Sequence, residues 1–370
     1  MQIAIVGAGI MGLSAARALT KRGHHVTVFD QSSIPNPNAS SYDDHRLIRY
    51  PYGDKVGYME MVRDAYAAWD DLWLDLDCSL YTQTGTLVLG DNTGGWADRS
   101  QRRLRSSGIN LENWTSEQMA ERFPFVQTED LAISFYLETG GILEASKISV
   151  ALKKWLLSNH VVVKEHHPVR FHDMESACII ANESAETFDT CVVTAGPWLP
   201  DLLPASSQWV LPSRQPAVYL NIPEKDVSTW DHCPMILDID HASGFYLVPP
   251  KNNTRLKIGD HRFTKTGSPN THYPATNQET EAIHAAAIRR IPLLKNYTIQ
   301  DTSTGYYTLS NDERFIAKQV GNTWVLTGFS GHGFKFGPLI GNRLAEVIAG
   351  TMKPDAFKDW IGGSLKSVRY

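Results

Sequence analysis

The chain opens on a continuous apolar run, Ile3-Ala4-Ile5-Val6, with no polar position to face water. Such a run suits a parallel strand buried on both faces. Glycines interrupt it at Gly7, Gly9 and Gly12, and the period then changes: Met11, Leu13, Ala15, Ala18 and Leu19 recur at helical spacing until Gly23. His25-Val26-Thr27-Val28-Phe29 follows as a second strand that ends in the acid Asp30. Strand, glycine turn, helix, strand and terminal acid in this order predict a βαβ unit that binds a dinucleotide. Gly7 permits the tight turn, Gly9 lets a pyrophosphate approach the backbone, and Gly12 allows close helix-on-strand packing. The helix N-terminus turns free N–H groups toward the phosphates, and the Asp30 carboxylate accepts from an adenosine ribose. Ile10, Met11 and Gln31 complete the cofactor-binding candidates of this unit, which by itself does not choose between NAD and FAD.

Further along, Val161-Val162-Val163 and Val169 mark short strands, and Cys191-Val192-Val193 is an apolar strand running into the small-residue turn Thr194-Ala195-Gly196-Pro197-Trp198. Alternating segments at Val218-Tyr219-Leu220-Asn221-Ile222 and Gly244-Phe245-Tyr246-Leu247-Val248 predict an antiparallel sheet. Arg255-Leu256-Lys257-Ile258 also alternates, and its position alone would put Arg255 and Lys257 on a solvated face. Near the C-terminus, Gly337-Pro338 starts a helix with Leu339, Ile340, Leu344, Val347 and Ile348 on its apolar face and Gly350 as its stop.

Composition narrows the class. A length of 370 residues fits two domains, and an apolar share of 42% with 20% charged residues is that of a globular chain. The net charge is −5 and no Lys/Arg block stands out, so a nucleic-acid partner is not expected. The 4 cysteines, Cys78, Cys178, Cys191 and Cys233, lack C-x-x-C spacing, which argues against a disulfide framework and a thiolate zinc site. They read as reduced, mostly structural thiols, and no metal is expected. The first residues form a strand instead of a leader, and no apolar run of roughly eighteen residues occurs; the expectation is a cytoplasmic protein without a membrane span.

Four segments together resemble the D-amino-acid-oxidase-like flavoprotein superfamily, on the side of the monomeric sarcosine oxidases and N-methyltryptophan oxidases. They are Gly7 to Gly12; His45-Arg46-Leu47-Ile48-Arg49-Tyr50-Pro51-Tyr52-Gly53; Leu256-Lys257-Ile258-Gly259-Asp260-His261; and Gly328-Phe329-Ser330-Gly331-His332-Gly333-Phe334-Lys335-Phe336. The last is the most specific, and the likeness runs along nearly the whole chain. It implies FAD as cofactor, with Arg46, Val169, Ala195, Gly196, Trp198, Gly331, His332, Gly333, Phe334 and Lys335 added to the residues that hold it. Gly331 and Gly333 are expected to remove side chains where a flat ring meets the backbone. The helix after them would aim its positive end at the flavin pyrimidine ring and stabilise the charge gained on reduction.

The resemblance also implies roles. Arg49 and Lys335 match the two cations that bind a substrate carboxylate, one suited to a bidentate grip and the other a point charge. The competing reading pairs either cation with a protein acid. Lys257 corresponds to a lysine over the flavin that helps dioxygen accept its first electron, and Arg46 to a second cation close to the ring. His261 and Tyr307 match residues lining the amine pocket. Asp260 is a candidate partner for His261. Three departures stand out: Gly305 occupies the position of the family's covalent cysteine, so the FAD is expected to be noncovalent; Leu247 falls where a second pocket tyrosine is found; and His45 replaces a smaller, threonine-like residue next to Arg46.

The expected architecture is α/β, a Rossmann-type FAD-binding domain (residues 1–77, 142–207 and 303–370) interwoven with an antiparallel-sheet α+β substrate domain (78–141 and 208–302). The expected activity is FAD-dependent oxidation of a small amino acid, a secondary (N-methyl or cyclic) amine, to an imine that hydrolyses, with dioxygen reduced to hydrogen peroxide and a monomer favoured. Two alternatives stay open: a dehydrogenase that passes electrons to a carrier or quinone, and a non-catalytic flavin-binding protein.

Overall fold

A computed structural model describes residues 1–240, 244–271 and 273–364. Strand β1 (Gln2–Val6), helix α1 (Ile10–Lys21) and strand β2 (His25–Phe29) form the expected unit. Ile3, Ala4 and Ile5 are fully buried, as the unbroken apolar run requires. β1 pairs in parallel with β2 on one side and with Thr190–Val193 on the other. The sheet grows outward through parallel Val162–Lys164 beside β2 and parallel Thr323–Thr327 beside Thr190–Val193, and the antiparallel strand Ile316–Val320 closes its far edge. Strands from three distant parts of the chain thus meet at the C-terminal ends of β1 and β2, where an open parallel sheet binds its ligand.

The second large sheet has eight strands, ordered Ile299–Ser310, Val210–Leu220, Leu256–Asp260, Phe245–Val248, Met235–Asp238, Thr86–Gly90, Ile133–Leu137 and Glu112–Asn113. Its long pair, Val210–Leu220 with Ile299–Ser310, starts earlier than the alternation suggested and stops before Asn221. The sheet is not wholly antiparallel, because Met235–Asp238 and Thr86–Gly90 run side by side. One face packs on helix Asn277–Arg290 through Phe245, Leu247, Ile258, Ile283 and Ala287. The other face looks toward the parallel sheet and bounds a cavity.

Two helices leave the glycine-rich turns together. A Cβ added to Gly337 would lie 2.6 Å from Cγ1 of Ile10, and one on Gly341 would lie 2.6 Å from the Ser14 carbonyl oxygen. Helix Gly337–Ile348 therefore runs parallel to α1 with the two N-termini adjacent and the backbones in contact. Replacing Gly341 by Ala should force the helices apart and cost about 1–3 kcal/mol of stability. A urea titration measures this; a shift of less than about 0.5 kcal/mol would show that the contact yields without strain.

Candidate active site

A cavity of about 290 Å³ begins at the glycine turn. Gly7, Gly9, Ile10, Met11, Asp30, Gln31, Val169, Ala195, Gly196 and Trp198 line it, and Arg46, Tyr307, Gly331, Gly333 and Phe334 close its inner end. Gly7 has φ +99°, and a Cβ there would lie 2.6 Å from the Thr194 carbonyl oxygen. Gly12 lies outside the cavity; its Cβ would stand 1.9 Å from the Gly7 oxygen, so its part is packing, as expected of the third glycine. The N-cap of α1 is Gly9, which has no side chain to cap it, and no acid sits in the first turn. The Ile10 N–H instead meets the Ser41 hydroxyl at 2.9 Å. Asp30 accepts from the Ala8 and Ser32 N–H groups at 2.8 and 2.9 Å, and burial raises its carboxyl above the usual value.

These features suit a dinucleotide. Backbone forms the phosphate end, the helix N-terminus carries no competing acid, and nothing stands within 4 Å of a Cβ built on Gly196. The glycines of the terminal block line the first cavity and also stand close to rings of the protein itself. A Cβ on Gly331, at φ +78°, would strike the Tyr307 ring at 2.4 Å, and one on Gly333 would meet the Phe329 Cβ at 2.7 Å. They make room for the protein's own rings.

A second cavity, of about 820 Å³, shares Arg46, Tyr307, Gly331 and Phe334 with the first and is roofed by the eight-stranded sheet. Arg49, Lys257, His261, Gly305 and Lys335 border it. Leu247 does not: it is fully buried in the core on the opposite face, while Tyr246 and Val248 face the cavity. Successive strand residues alternate faces, so the sequence reading was one residue out and the pocket tyrosine is Tyr246. Its hydroxyl is hydrogen-bonded to that of Tyr307, and burial pushes the Tyr246 phenol up to about 12 and that of Tyr307 higher still.

The four cations fall into two pairs. Lys257 is only 4% exposed, which corrects the solvated-face placement, and its ammonium is bound to Asp43. Arg46 donates to the same carboxylate, and to the Ser40 and Tyr42 carbonyls at 2.9 Å. Tyr219 adds its hydroxyl to Asp43 at 2.5 Å. Burial alone would raise the Asp43 carboxyl, but the Lys257 and Arg46 charges outweigh it and hold it far below the usual range. Beside them, burial and then the Lys257 charge lower His45 to about 4; its Nε2 meets the Arg255 carbonyl at 3.2 Å, and its Nδ1 has no partner.

Arg49 and Lys335 differ. Among the described residues neither has an ion-pair partner. The Arg49 guanidinium carbon lies 5.1 Å from the Tyr52 ring centroid and 5.4 Å from that of Trp96, with one N–H given to the Pro51 carbonyl. The Lys335 ammonium, 4% exposed, donates to the His332 carbonyl at 3.0 Å and the Tyr52 hydroxyl at 3.1 Å. Burial lowers both groups below their ordinary values, and the Arg49 charge lowers Lys335 further.

Two histidines sit differently from expectation. His261 is exposed at the cavity mouth, its Nδ1 3.4 Å from the Gly244 carbonyl, and Asp260 pairs with Arg262 at 3.0 Å instead of with it. His332 borders the second cavity, not the first, with Nδ1 3.2 Å from the Tyr52 hydroxyl and Nε2 3.1 Å from the Glu313 carbonyl. Gly305 faces open space, with nothing within 4 Å of an added Cβ. All four cysteines are free, Cys78 exposed and the others buried. Among the described residues no cluster could hold a metal ion, and no helix is long and apolar enough to cross a membrane.

Sequence reasoning did not find Ser41, Asp43, Tyr52, Trp96 or Tyr246. Asp43 carried a signal as an acid three positions before Arg46, and Tyr52 and Tyr246 lay within segments already singled out; Trp96 carried none.

A family model described as FAD dependent oxidoreductase (DAO) matches residues 2–347. The chain belongs to this family. Similar relatives of this FAD dependent oxidoreductase include monomeric sarcosine oxidase of Bacillus sp. (strain NS-129), 25% identical over 93% of this chain and 92% of that one. N-methyl-L-tryptophan oxidase of Salmonella typhi is 26% identical over 94% of each chain. Among solved structures, L-proline dehydrogenase from P. horikoshii superposes with a TM-score of 0.82 at 19% identity, over 97% of this chain and 96% of its own. Glycine oxidase from Bacillus cereus ATCC 14579 gives 0.78 at 20%, over 100% and 99%. At these identities the structural likeness supports the fold alone, a mixed α/β architecture with a Rossmann-type parallel sheet.

The buried neutral His45 gives this oxidoreductase an acid sensitivity. Its folded pKa is depressed from 6.5 to about 4. Between those values the unfolded chain binds a proton that the folded protein does not, so stability is full above about pH 6.5 and falls on the order of 3 kcal/mol toward pH 4. His45→Gln should flatten that part of a plot of urea midpoint against pH; an unchanged slope would assign the loss to other groups.

Proposed function

We propose that this FAD dependent oxidoreductase oxidises the carbon–nitrogen bond of a small amino acid, a secondary (N-methyl or cyclic) amine. The product is an imine that hydrolyses, and dioxygen is reduced to hydrogen peroxide. The observation that carries this reading is the pair of cations, half-buried Arg49 and buried Lys335, that face one cavity without an acid partner among the described residues. Buried cations are ordinarily paired, so an unpaired couple on a cavity wall supports an anionic ligand. The names of the relatives, sarcosine oxidase and N-methyl-L-tryptophan oxidase, support an N-methyl amino acid.

In this reading Gly7, Gly9, Ile10, Met11, Asp30, Gln31, Arg46, Val169, Ala195, Gly196, Trp198, Gly331, Gly333 and Phe334 hold the FAD, which when bound supplies a hydride acceptor. His332 and Lys335 border it only from the second cavity. Arg49 grips the substrate carboxylate and Lys335 neutralises it, which fixes the amine-bearing carbon in one place. Tyr307 and Tyr246, kept protonated by burial, offer hydroxyls and ring faces to a neutral amine, and His261 stands at the mouth. Arg46 and Lys257 set the positive field at the junction of the cavities, the place assigned to dioxygen. With Gly305 in place of a nucleophilic side chain, the FAD is held without a covalent bond. The stretches 1–77, 142–207 and 303–370 are assigned to the FAD-binding domain, and 78–141 with 208–302 to the substrate domain.

One observation favours a second reading. The Lys257 ammonium is paired with Asp43, which weakens the field it offers to dioxygen and accords with a dehydrogenase delivering electrons to a carrier or quinone.

Anaerobic titration of the purified holoenzyme with a panel of secondary and primary amino acids tests the proposal. N-methyl or cyclic amino acids should bleach the flavin band, and air should restore it with formation of peroxide; slow return in air would select the dehydrogenase. Arg49→Gln and Lys335→Met should each weaken substrate about 10- to 100-fold, the loss of one charge-assisted hydrogen bond. Lys257→Met should slow reoxidation far more than reduction, and equal slowing would remove its assigned role. Acid precipitation should leave the flavin in the supernatant; flavin retained in the pellet would contradict noncovalent binding.

A further inference from the structure

Arg49 and Lys335 reach the cavity from different elements, the loop after strand Arg46–Ile48 and the short helical turn Phe334–Phe336. One buried side chain touches both. The Tyr52 ring, 6% exposed, lies against the Arg49 guanidinium, and its hydroxyl is 3.1 Å from the Lys335 Nζ. The same hydroxyl is 3.2 Å from Nδ1 of His332.

Donor chemistry gives these contacts one direction. The Glu313 carbonyl, 3.1 Å from Nε2 of His332, can only accept, so Nε2 carries the ring proton and Nδ1 is the acceptor. The Tyr52 hydroxyl therefore donates to Nδ1 and accepts from Lys335, whose ammonium has donors alone. The Lys335 ammonium thus spends two of its hydrogens on Tyr52 and the His332 carbonyl and keeps one for the cavity. On the other arm, Trp96 closes Arg49 against the Tyr52 ring at 5.4 Å. Gly53 lets Trp96 come that close: its φ is +58°, and a Cβ on it would meet Trp96 Cδ1 at 2.8 Å.

We propose that Tyr52 is the positioning residue of the anion clamp: its ring orients Arg49 and its hydroxyl, oriented by His332, orients Lys335. This rests on the clamp reading of those two cations. One side chain then fixes the separation and direction of both charges, and the clamp discriminates a carboxylate from an uncharged isostere through geometry that neither cation holds alone.

The test uses holoenzyme and the flavin absorption band, titrated with propanoate and with propanamide. Tyr52→Phe keeps the ring and loses the hydroxyl; it should weaken propanoate about 10-fold and leave propanamide within about twofold. Tyr52→Leu, which loses both contacts, should weaken propanoate about 100-fold. In a Lys335→Met background the further effect of Tyr52→Phe should vanish, because the hydroxyl acts through that ammonium. Equal weakening of both ligands by Tyr52→Phe, or an undiminished effect in Lys335→Met, would reduce Tyr52 to a packing role and overturn the proposal. Should Tyr52→Phe fail to hold flavin, His332→Gln leaves Tyr52 in place and must show the same selective loss, dependent on Lys335. If Lys335→Met itself binds propanoate like the unmodified enzyme, the clamp reading falls; if it loses propanoate while Tyr52→Phe does not, the positioning role alone is refuted.

Discussion

The site depends on one buried carboxylate. Asp43 receives Arg46 from the short strand beside it, Lys257 from the third strand of the large sheet, and Tyr219 from the strand next to that. Its backbone carbonyl also accepts from Ser146, at the start of the helix Ala145–Ser158. The wall of the second cavity is thereby tied to the loop that follows the dinucleotide unit. Without the acid, two cations would face each other in a protein interior, an arrangement that costs several kcal/mol.

Around this tie the charges are sorted by partner. Arg46 and Lys257 share one carboxylate inside the protein, whereas Arg49 and Lys335 are held by aromatic rings, a hydroxyl and carbonyls that carry no formal charge. Cation–π and neutral contacts place a cation without cancelling it. The cations that share an acid and those that have none among the described residues thus stand on different parts of the cavity wall.

The parts of this arrangement that depend on neighbouring residues could be read from the sequence, and the parts that depend on distant ones could not. The β1–α1–β2 unit declares itself through a change of period within thirty residues, and helix Gly337–Ile348 through its proline, apolar stripe and terminal glycine. Leu247 was misplaced because all four positions of the strand Phe245–Val248 are hydrophobic, so alternation gives no face. Asp43 was missed because Lys257 and Tyr219 lie 214 and 176 residues away in sequence. At Gly331 and Gly333 the rings of Tyr307 and Phe329 were not legible: a small residue announces that something is close, not what it is.

The parallel alignment of α1 and Gly337–Ile348 bears on how the cofactor and the fold are coupled. Their N-termini lie side by side, so two positive helix ends repel each other at the same mouth. A diphosphate held there would relieve this repulsion, and the protein lacking it carries the cost in its folded state. Cofactor binding and conformational stability are then linked quantities, and the melting temperature of this chain is a property of the loaded protein, rising with the concentration of free FAD.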